Sequence, residues 1–199
     1  RNAIFSGCFP NVLQQKYPEM WKEMWNNEFS MNQYEEYFLK NFFKEKGLNH
    51  KSISYHKIVN YKEGNKFAKR IKEYKEIDVL SLVVNFVDIL GHSRSEYKIL
   101  EEMVPDESAY RKAICSWIEN AWFMEVLKEI SSWDAKIIIT SDHGSIRVEK
   151  PTMIKGDKET SAGIRYKHGR NIHSPEKGGL TISDPTKYGL PRESQFNQF

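Results

Sequence analysis

The chain has 199 residues, of which 39% are hydrophobic, so a single domain with a sizeable core is feasible. Its 30 Lys and Arg nearly balance 27 Asp and Glu, and a net charge of +3 is too small to indicate nucleic-acid or membrane binding by bulk electrostatics. The two cysteines, Cys8 and Cys115, exclude a disulfide framework or a cysteine-rich zinc module and fit a reducing compartment.

No segment has the length and apolar character of a membrane span. The longest apolar run, residues 79–90, is interrupted by polar residues and is too short to cross a bilayer. No signal peptide is visible, so we expect a cytoplasmic protein without membrane association. The chain starts without Met, at Arg1, and we expect it to be a fragment with residues missing at both ends.

The first half of the chain predicts mostly helices. Residues 2–10 indicate a loop or the connection from a strand into a helix. Residues 11–25 carry aromatic residues and Met at roughly helical spacing, and residues 32–46 show a clearer apolar stripe that ends at a glycine. Residues 52–59 alternate weakly and predict a short strand, and residues 62–75 predict a basic amphipathic helix.

The second half predicts a parallel sheet. Residues 77–87 form the strongest strand signal, because they are continuously apolar, as in strands whose sheet is covered on both faces. Residues 107–130 predict one long helix, and residues 135–140 predict a second buried strand. Strand, helix and strand in this order indicate an α/β fold with a mostly parallel sheet flanked by helices. Residues 149–199 are polar and indicate a long loop or small lobe.

Each of the two strands predicted in the second half of the chain is followed by one carboxylate and one imidazole. Asp88 and His92 are one helical turn apart, and Asp142 and His143 are adjacent and followed by Gly144. In open α/β sheets the working site lies outside the carboxyl ends of the strands. Two Asp and two His converging there would suit Zn²⁺, with Mn²⁺ and Fe as alternatives.

A structural role is the alternative for each pair alone. Asp88 could be a helix N-cap, and a His at a strand end is often a satisfied polar residue. The occurrence of both pairs on the two strongest strands favours the metal hypothesis. His50 and His56 have no such neighbours in the sequence, and we expect them to lie on the surface.

Four spaced segments resemble the alkaline-phosphatase superfamily, and within it the PglZ domains of PorX-type response regulators of Bacteroidetes. They are RNAIFSG at residues 1–7, VDILGHSR at 87–94, SDHGS at 141–145 and RYKHGRN at 165–171. The resemblance covers nearly the whole chain. It implies that residues 1–199 form an incomplete PglZ domain with an alkaline-phosphatase-like core, and that residues 149–199 are a loop or lobe within it.

The resemblance also implies a chemistry. It indicates a two-zinc phosphodiesterase or phosphatase in which Asp88 and His92 help to hold one metal and Asp142 and His143 the other. The nucleophile would be a Thr upstream of Arg1, and a third His would lie beyond Phe199. His168 or His173 would be the alternative within the chain.

The remaining candidate residues would contact the substrate, a phosphate ester such as a nucleotide diester or an oligonucleotide. Arg165, Lys167 and Arg170 lie in a Gly-containing segment and would bind the non-transferred phosphate oxygens; a solvated basic face is the alternative. Asn2 would lie near the nucleophile and contact a phosphate oxygen, or it would simply cap the following helix.

Signalling partners follow from the resemblance alone. A PorX-type regulator would join this domain to a receiver domain, form a homodimer on phosphorylation and act in type IX secretion. The competing hypothesis is a non-catalytic output module, in which the aromatic-rich residues 17–43 form an interaction or dimerisation surface. Four retained metal ligands favour the enzyme, since a binding module would not need them.

We expect the isolated 199 residues to bind metal weakly and to turn over no substrate, because the nucleophile is absent from them. The measurement is hydrolysis of a phosphodiester by a metal-loaded sample of this chain. An ordinary enzymatic rate would contradict the expectation.

Overall fold

The computed structural model describes residues 1–26, 32–144, 152–158, 160, 167–174 and 179–192. Predictions that concern Arg165 or other residues in the gaps lie outside this part of the chain. The chain divides into two compact units. Unit 1 consists of Arg1–Gly47 and Asp142–Phe199, and unit 2 consists of Leu48–Ser141. Each unit has its own hydrophobic core and is described separately.

Unit 1 begins with four helices. They are α1 (Asn2–Ser6), α2 (Pro10–Lys16), α3 (Pro18–Asn26) and α4 (Glu35–Glu45). The helix predicted at residues 32–46 is confirmed by α4. Of the two alternatives for residues 2–10, the loop is wrong at Asn2–Ser6, which form α1 and end at a left-handed Gly7, while the alternative did anticipate entry into a helix. The apolar residues at helical spacing within 11–25 belong to two helices, α2 and α3. The break falls at Tyr17, because a residue that precedes a proline avoids the helical conformation.

The core of unit 1 forms where these helices pack together. Leu13, Met24 and Phe38 are buried, and Phe38 is 0% exposed. α1 packs against α4 at Gly7, where a Cβ atom would lie 2.5 Å from the Phe42 ring. Glycine at this position therefore satisfies both the positive φ of 64° and the close approach of the ring.

The second segment of unit 1 has little regular structure within its described residues. It contains a 3-10 helix, Pro185–Tyr188, and an antiparallel bridge between Lys155 and His173. The backbone amide of Asn11 donates to the carbonyl of Gly189 at 3.2 Å, which connects this segment to α2.

Unit 2 contains two parallel strands and their connecting helices. β1 (Ile53–Ile58) pairs with β2 (Val79–Val84) through a register that places Ile53 opposite Val79. The crossover contains α5 (Tyr61–Arg70) and a 3-10 helix, Ile71–Tyr74. The following helices are α6 (Phe86–Glu96), α7 (Lys98–Met103), α8 (Glu107–Asn120) and α9 (Trp122–Ile130). This arrangement confirms the predicted α/β class.

The strands and helices of unit 2 share one apolar core. Its buried members are Ile58, Phe67, Ala68, Ile71, Ala121, Trp122 and Val126. The apolar face predicted for the basic helix is confirmed, because Phe67, Ala68 and Ile71 all belong to this core. The strand predicted at residues 77–87 is shorter, since Asn85 ends β2 and Phe86 begins α6.

Two further predictions about unit 2 are wrong. The long helix expected at residues 107–130 is broken at Ala121, whose extended backbone separates α8 from α9 and allows Trp122 to enter the core. Residues 135–140 form no strand in the described structure, and Ile138 and Ile139 are 76% and 75% exposed. An apolar sequence favours a strand only where a neighbouring strand takes up its backbone hydrogen bonds. In the described residues, the sheet consists of β1 and β2.

Across the parts of the chain that the structure describes, no helix is both long enough and apolar enough to cross a membrane.

We predict that Gly64→Ala destabilises unit 2, although alanine is the better helix former. A Cβ at Gly64 would lie 2.0 Å from Nε1 of Trp122, which is itself buried in the core. Overpacking of this kind costs about 1–3 kcal/mol, which outweighs the gain of about 1 kcal/mol from helix propensity. The measurement is the free energy of unfolding in urea. Lys66→Ala, an exposed substitution on the same helix, is the control, and an equally stable Gly64 variant would contradict the prediction.

A second prediction concerns Asp78, whose carboxylate joins the starts of β1 and β2. The pKa of this carboxyl lies far below its usual range, because Lys51 donates to it at 2.8 Å and both the backbone amide and hydroxyl of Ser52 donate to its other oxygen. A lowered folded-state pKa means that the stabilisation is complete above the unfolded-state pKa, about 3.9, and is lost as the pH falls toward the folded-state pKa.

Asp78→Asn should therefore lower the stability at pH 7 and reduce the loss of stability on acidification below about pH 4. The measurement is the midpoint of urea unfolding between pH 7 and pH 2. Glu76→Gln, an exposed neighbour, is the control for stability at neutral pH. If the wild type and the Asp78 variant lose stability equally on acidification, Asp78 does not contribute to the acid dependence.

Candidate functional site

Asp88 and His92 lie on α6 in unit 2. They are one turn apart, and Oδ1 of Asp88 is 3.5 Å from Nε2 of His92. Both side chains are exposed. The N-cap of α6 is Asn85, so the alternative hypothesis that Asp88 caps this helix is wrong. Asp88 instead lies in the first helical turn, where a carboxylate interacts favourably with the helix dipole.

Asp142 and His143 lie in unit 1, directly after residues 135–141, which have no regular secondary structure. Oδ2 of Asp142 is 3.9 Å from Nε2 of His143, and both side chains are partly exposed. Nδ1 of His143 is 3.1 Å from the carbonyl oxygen of Gly144. A proton on Nδ1 would donate to this carbonyl, which makes Nε2 the nitrogen able to coordinate a metal.

The distance within each pair can be compared with the spacing of two ligands at one metal ion. A tetrahedral zinc with bonds of about 2.1 Å separates two ligand atoms by about 3.4 Å. The separation in the Asp88–His92 pair, 3.5 Å, agrees with this value. The 3.9 Å in the Asp142–His143 pair is wider than this value. Carboxylate and imidazole are suitable zinc ligands, so the chemistry of both pairs fits the metal, and the observed spacing fits it in the Asp88–His92 pair.

The four residues are divided between the units. Asp88 and His92 belong to unit 2, whereas Asp142 and His143 belong to unit 1. Within the described residues, no group of three or more His, Cys, Asp or Glu side chains is arranged to hold a metal ion. The structure therefore brings together the members of each pair, and the complete ligand set stays a prediction.

Asn2 is the first residue of α1, and Arg1 is its N-cap. The N-cap has no side-chain capping bond, so Asn2 does not cap the helix in the way that the alternative supposed. Its side-chain amide donates to Sδ of Met24 at 3.5 Å. Thioether sulfur is a weak hydrogen-bond acceptor.

The candidate phosphate-binding residues lie in the second segment of unit 1. Lys167 is half-buried and Arg170 is exposed, while Arg165 is outside the described residues. Of the two alternative histidines, His168 is half-buried and His173 is exposed, and the backbone of His173 pairs with Lys155. The structure does not test the roles predicted for these residues.

His56 does not lie on the surface as predicted. It is half-buried on β1, with ring centroids 4.8 Å from Phe67 and 4.7 Å from Tyr74, and its Nε2 is 2.8 Å from Oγ of Ser54. His50 is exposed, as predicted. The aromatic neighbours of His56 come from the crossover, and its sequence context does not reveal them.

Arg1 lies near Asp142 and pairs with Glu35, and neither residue was predicted to have this role. Glu35 is only 1% exposed, and Nε of Arg1 lies 2.9 Å from its carboxylate and 3.9 Å from Oδ2 of Asp142. One signal could have identified Glu35, because it precedes Phe38 and Phe42 at helical spacing on an otherwise apolar stripe. A carboxylate on such a stripe needs a buried cation.

Comparison with known proteins gives a family. The model of the BREX system PglZ alkaline phosphatase-like domain matches residues 1–198. No curated protein matches the chain. The helices and the small parallel sheet are consistent with an alkaline-phosphatase-like domain. The family match and the fold together show that this chain belongs to the PglZ alkaline phosphatase-like domain family.

Proposed function

We propose that the chain is a metal-dependent phosphodiesterase or phosphatase domain that hydrolyses nucleotide-type phosphate esters. One observation carries the proposal: a chain of the PglZ family contains two Asp–His pairs. The carboxylate oxygen and the imidazole nitrogen are 3.5 Å apart in one pair and 3.9 Å apart in the other. Each pair would supply two ligands to one zinc, with Mn²⁺ as the alternative metal. The remaining ligands, including a third His, are part of the proposal.

The bound metals would polarise the phosphoryl group and lower the pKa of a coordinated hydroxyl. The residues of this chain would prepare that chemistry. The carbonyl of Gly144 orients the His143 ring, and the adjacent Asp142 carboxylate supplies negative charge for the cation. The nucleophile would be the Thr that the family resemblance places a few residues before the RNAIFSG segment.

Positive and polar groups of unit 1 would hold the substrate. Lys167 and Arg170, together with Arg165, would bind the oxygens that are not transferred, and the amide of Asn2 would donate to one of them. The chemistry of the Lys and Arg side chains supports these roles, because guanidinium and ammonium groups bind phosphate oxygens through charge-assisted hydrogen bonds. The proposed substrates include mononucleotide diesters and oligonucleotides.

The signalling context is a further part of the proposal. The four segments that resemble PorX-type regulators support a role as the effector domain of a two-component response regulator. A receiver domain and a second copy of the protein would then be its partners.

The packing of the aromatic residues weakens the alternative of a non-catalytic interaction module. Tyr17 and Tyr34 pack against the buried Phe38, with ring centroids 5.3 and 6.2 Å away. These rings are therefore part of the unit 1 core. Tyr37 is 44% exposed but also makes an edge contact with Phe38.

We predict that the native, full-length form of this protein contains about two zinc ions per chain. Asp142→Ala should lower the metal content and reduce phosphodiester hydrolysis at least about 100-fold, because it removes a charged ligand. Elemental analysis and cleavage of a chromogenic phosphodiester measure the two effects, and circular dichroism verifies the fold. Asp134→Ala, an exposed carboxylate outside the pairs, is the matched control.

A fully folded, metal-free wild-type protein would contradict the enzymatic proposal. The interaction module would instead be favoured by a different result, in which the wild type has no hydrolytic activity and the Asp142 variant loses partner binding.

A further inference from the structure

A buried carboxylate lies close to one of the proposed metal ligands. Glu35 begins α4 and is 1% exposed, and its partner in unit 1 is Arg1, with Nε 2.9 Å from Oε1. An ionised carboxylate removed from water requires a cation held in good geometry. Arg1, whose side chain is itself mostly buried, supplies that charge through an ion pair; the 2.9 Å contact between Nε and Oε1 does not have hydrogen-bond geometry.

The same nitrogen of Arg1 faces the candidate ligand Asp142. The distance from Nε to Oδ2 of Asp142 is 3.9 Å, which is too long for a hydrogen bond but short enough for strong electrostatic attraction. Oδ2 is also the oxygen that lies 3.9 Å from Nε2 of His143. Arg1 thus attracts this oxygen without forming a direct hydrogen bond to it from Nε.

We propose that Arg1, held by Glu35, is a positioning residue that orients the carboxylate of Asp142 toward the metal. The inference rests on the proposed function, since it assumes that Asp142 is a ligand. Carboxylates that bind metals are commonly oriented by hydrogen-bonding partners, and loss of such a partner weakens metal binding about 10- to 100-fold, which sets the upper limit for a charge at 3.9 Å.

Glu35 has a specific part in this arrangement. Arginine and a carboxylate readily form a two-point hydrogen-bonded pair, which would occupy the oxygens of Asp142. In the proposed arrangement, the ion pair with Glu35 keeps Arg1 from forming such a pair with Asp142, since Nε lies 2.9 Å from Oε1 of Glu35 and 3.9 Å from Oδ2 of Asp142. The orientation of the Asp142 carboxylate would therefore depend on Glu35, although no contact between Glu35 and Asp142 is among those described.

Two variants separate positioning from simple stabilisation. Arg1→Lys keeps the positive charge next to Glu35 but loses the rigid, planar guanidinium. The double variant Arg1→Met/Glu35→Leu replaces the buried ion pair with apolar side chains, a change that buried ion pairs often tolerate without loss of the fold. The control is Lys16→Met/Glu45→Leu, which removes the more exposed ion pair between α2 and α4 in the same unit.

The experiment measures zinc affinity by competition with a chromogenic chelator, using the protein in its native, full-length form. We expect zinc to bind about 10-fold more weakly to Arg1→Lys and about 10- to 100-fold more weakly to the double variant, with the control unchanged. Circular dichroism and thermal unfolding show whether the double variant keeps the fold. If it does not, the comparison with wild type uses Arg1→Lys alone.

Equal zinc affinity in folded Arg1 variants and wild type would overturn the inference. A higher KM with unchanged zinc affinity would also overturn it, by assigning Arg1 to substrate binding. Asp142→Ala separates this failure from that of the proposed function. If Asp142→Ala loses zinc and the Arg1 variants do not, only the positioning role is wrong; if Asp142→Ala binds zinc normally, the proposed ligand itself is wrong.

Discussion

The burial of one carboxylate constrains the part of unit 1 that contains the candidate site. Glu35 occupies a position on α4 where its neighbours along the stripe are aromatic, so its charge must be compensated inside the protein. Arg1 provides that compensation and also approaches Asp142, which is distant in the sequence. A requirement of packing thereby places a cation beside a residue proposed to bind metal.

Unit 2 depends on a different constraint, the close packing of α5 against α9. The indole of Trp122 occupies the space that a side chain at position 64 would need, so only glycine allows this approach. The extended backbone at Ala121 is what turns Trp122 into the core. Asp88 and His92 follow β2 on a helix of this unit, so the apolar core supports their position indirectly.

The two candidate metal-binding pairs are local features of the chain. One is separated by a helical turn and the other consists of adjacent residues, so the spacing within each pair follows from backbone geometry. This explains why sequence analysis could identify them. The residues that surround a pair come from distant segments, and the Arg1–Glu35 contact was accordingly missed.

The sequence by itself determined the periodic elements and the two Asp–His pairs. α4, α5 and both strands were predicted because their apolar spacing is a local property. The α/β class was predicted from residues 77–87, 107–130 and 135–140, whereas in the structure β1, α5 and β2 form the parallel unit. Only the tertiary structure decided the state of residues 135–140, the break at Ala121 and the burial of Glu35 and His56. Each of these depends on neighbours far away in the chain, which supply the hydrogen bonds, the space or the countercharge that the local sequence does not specify.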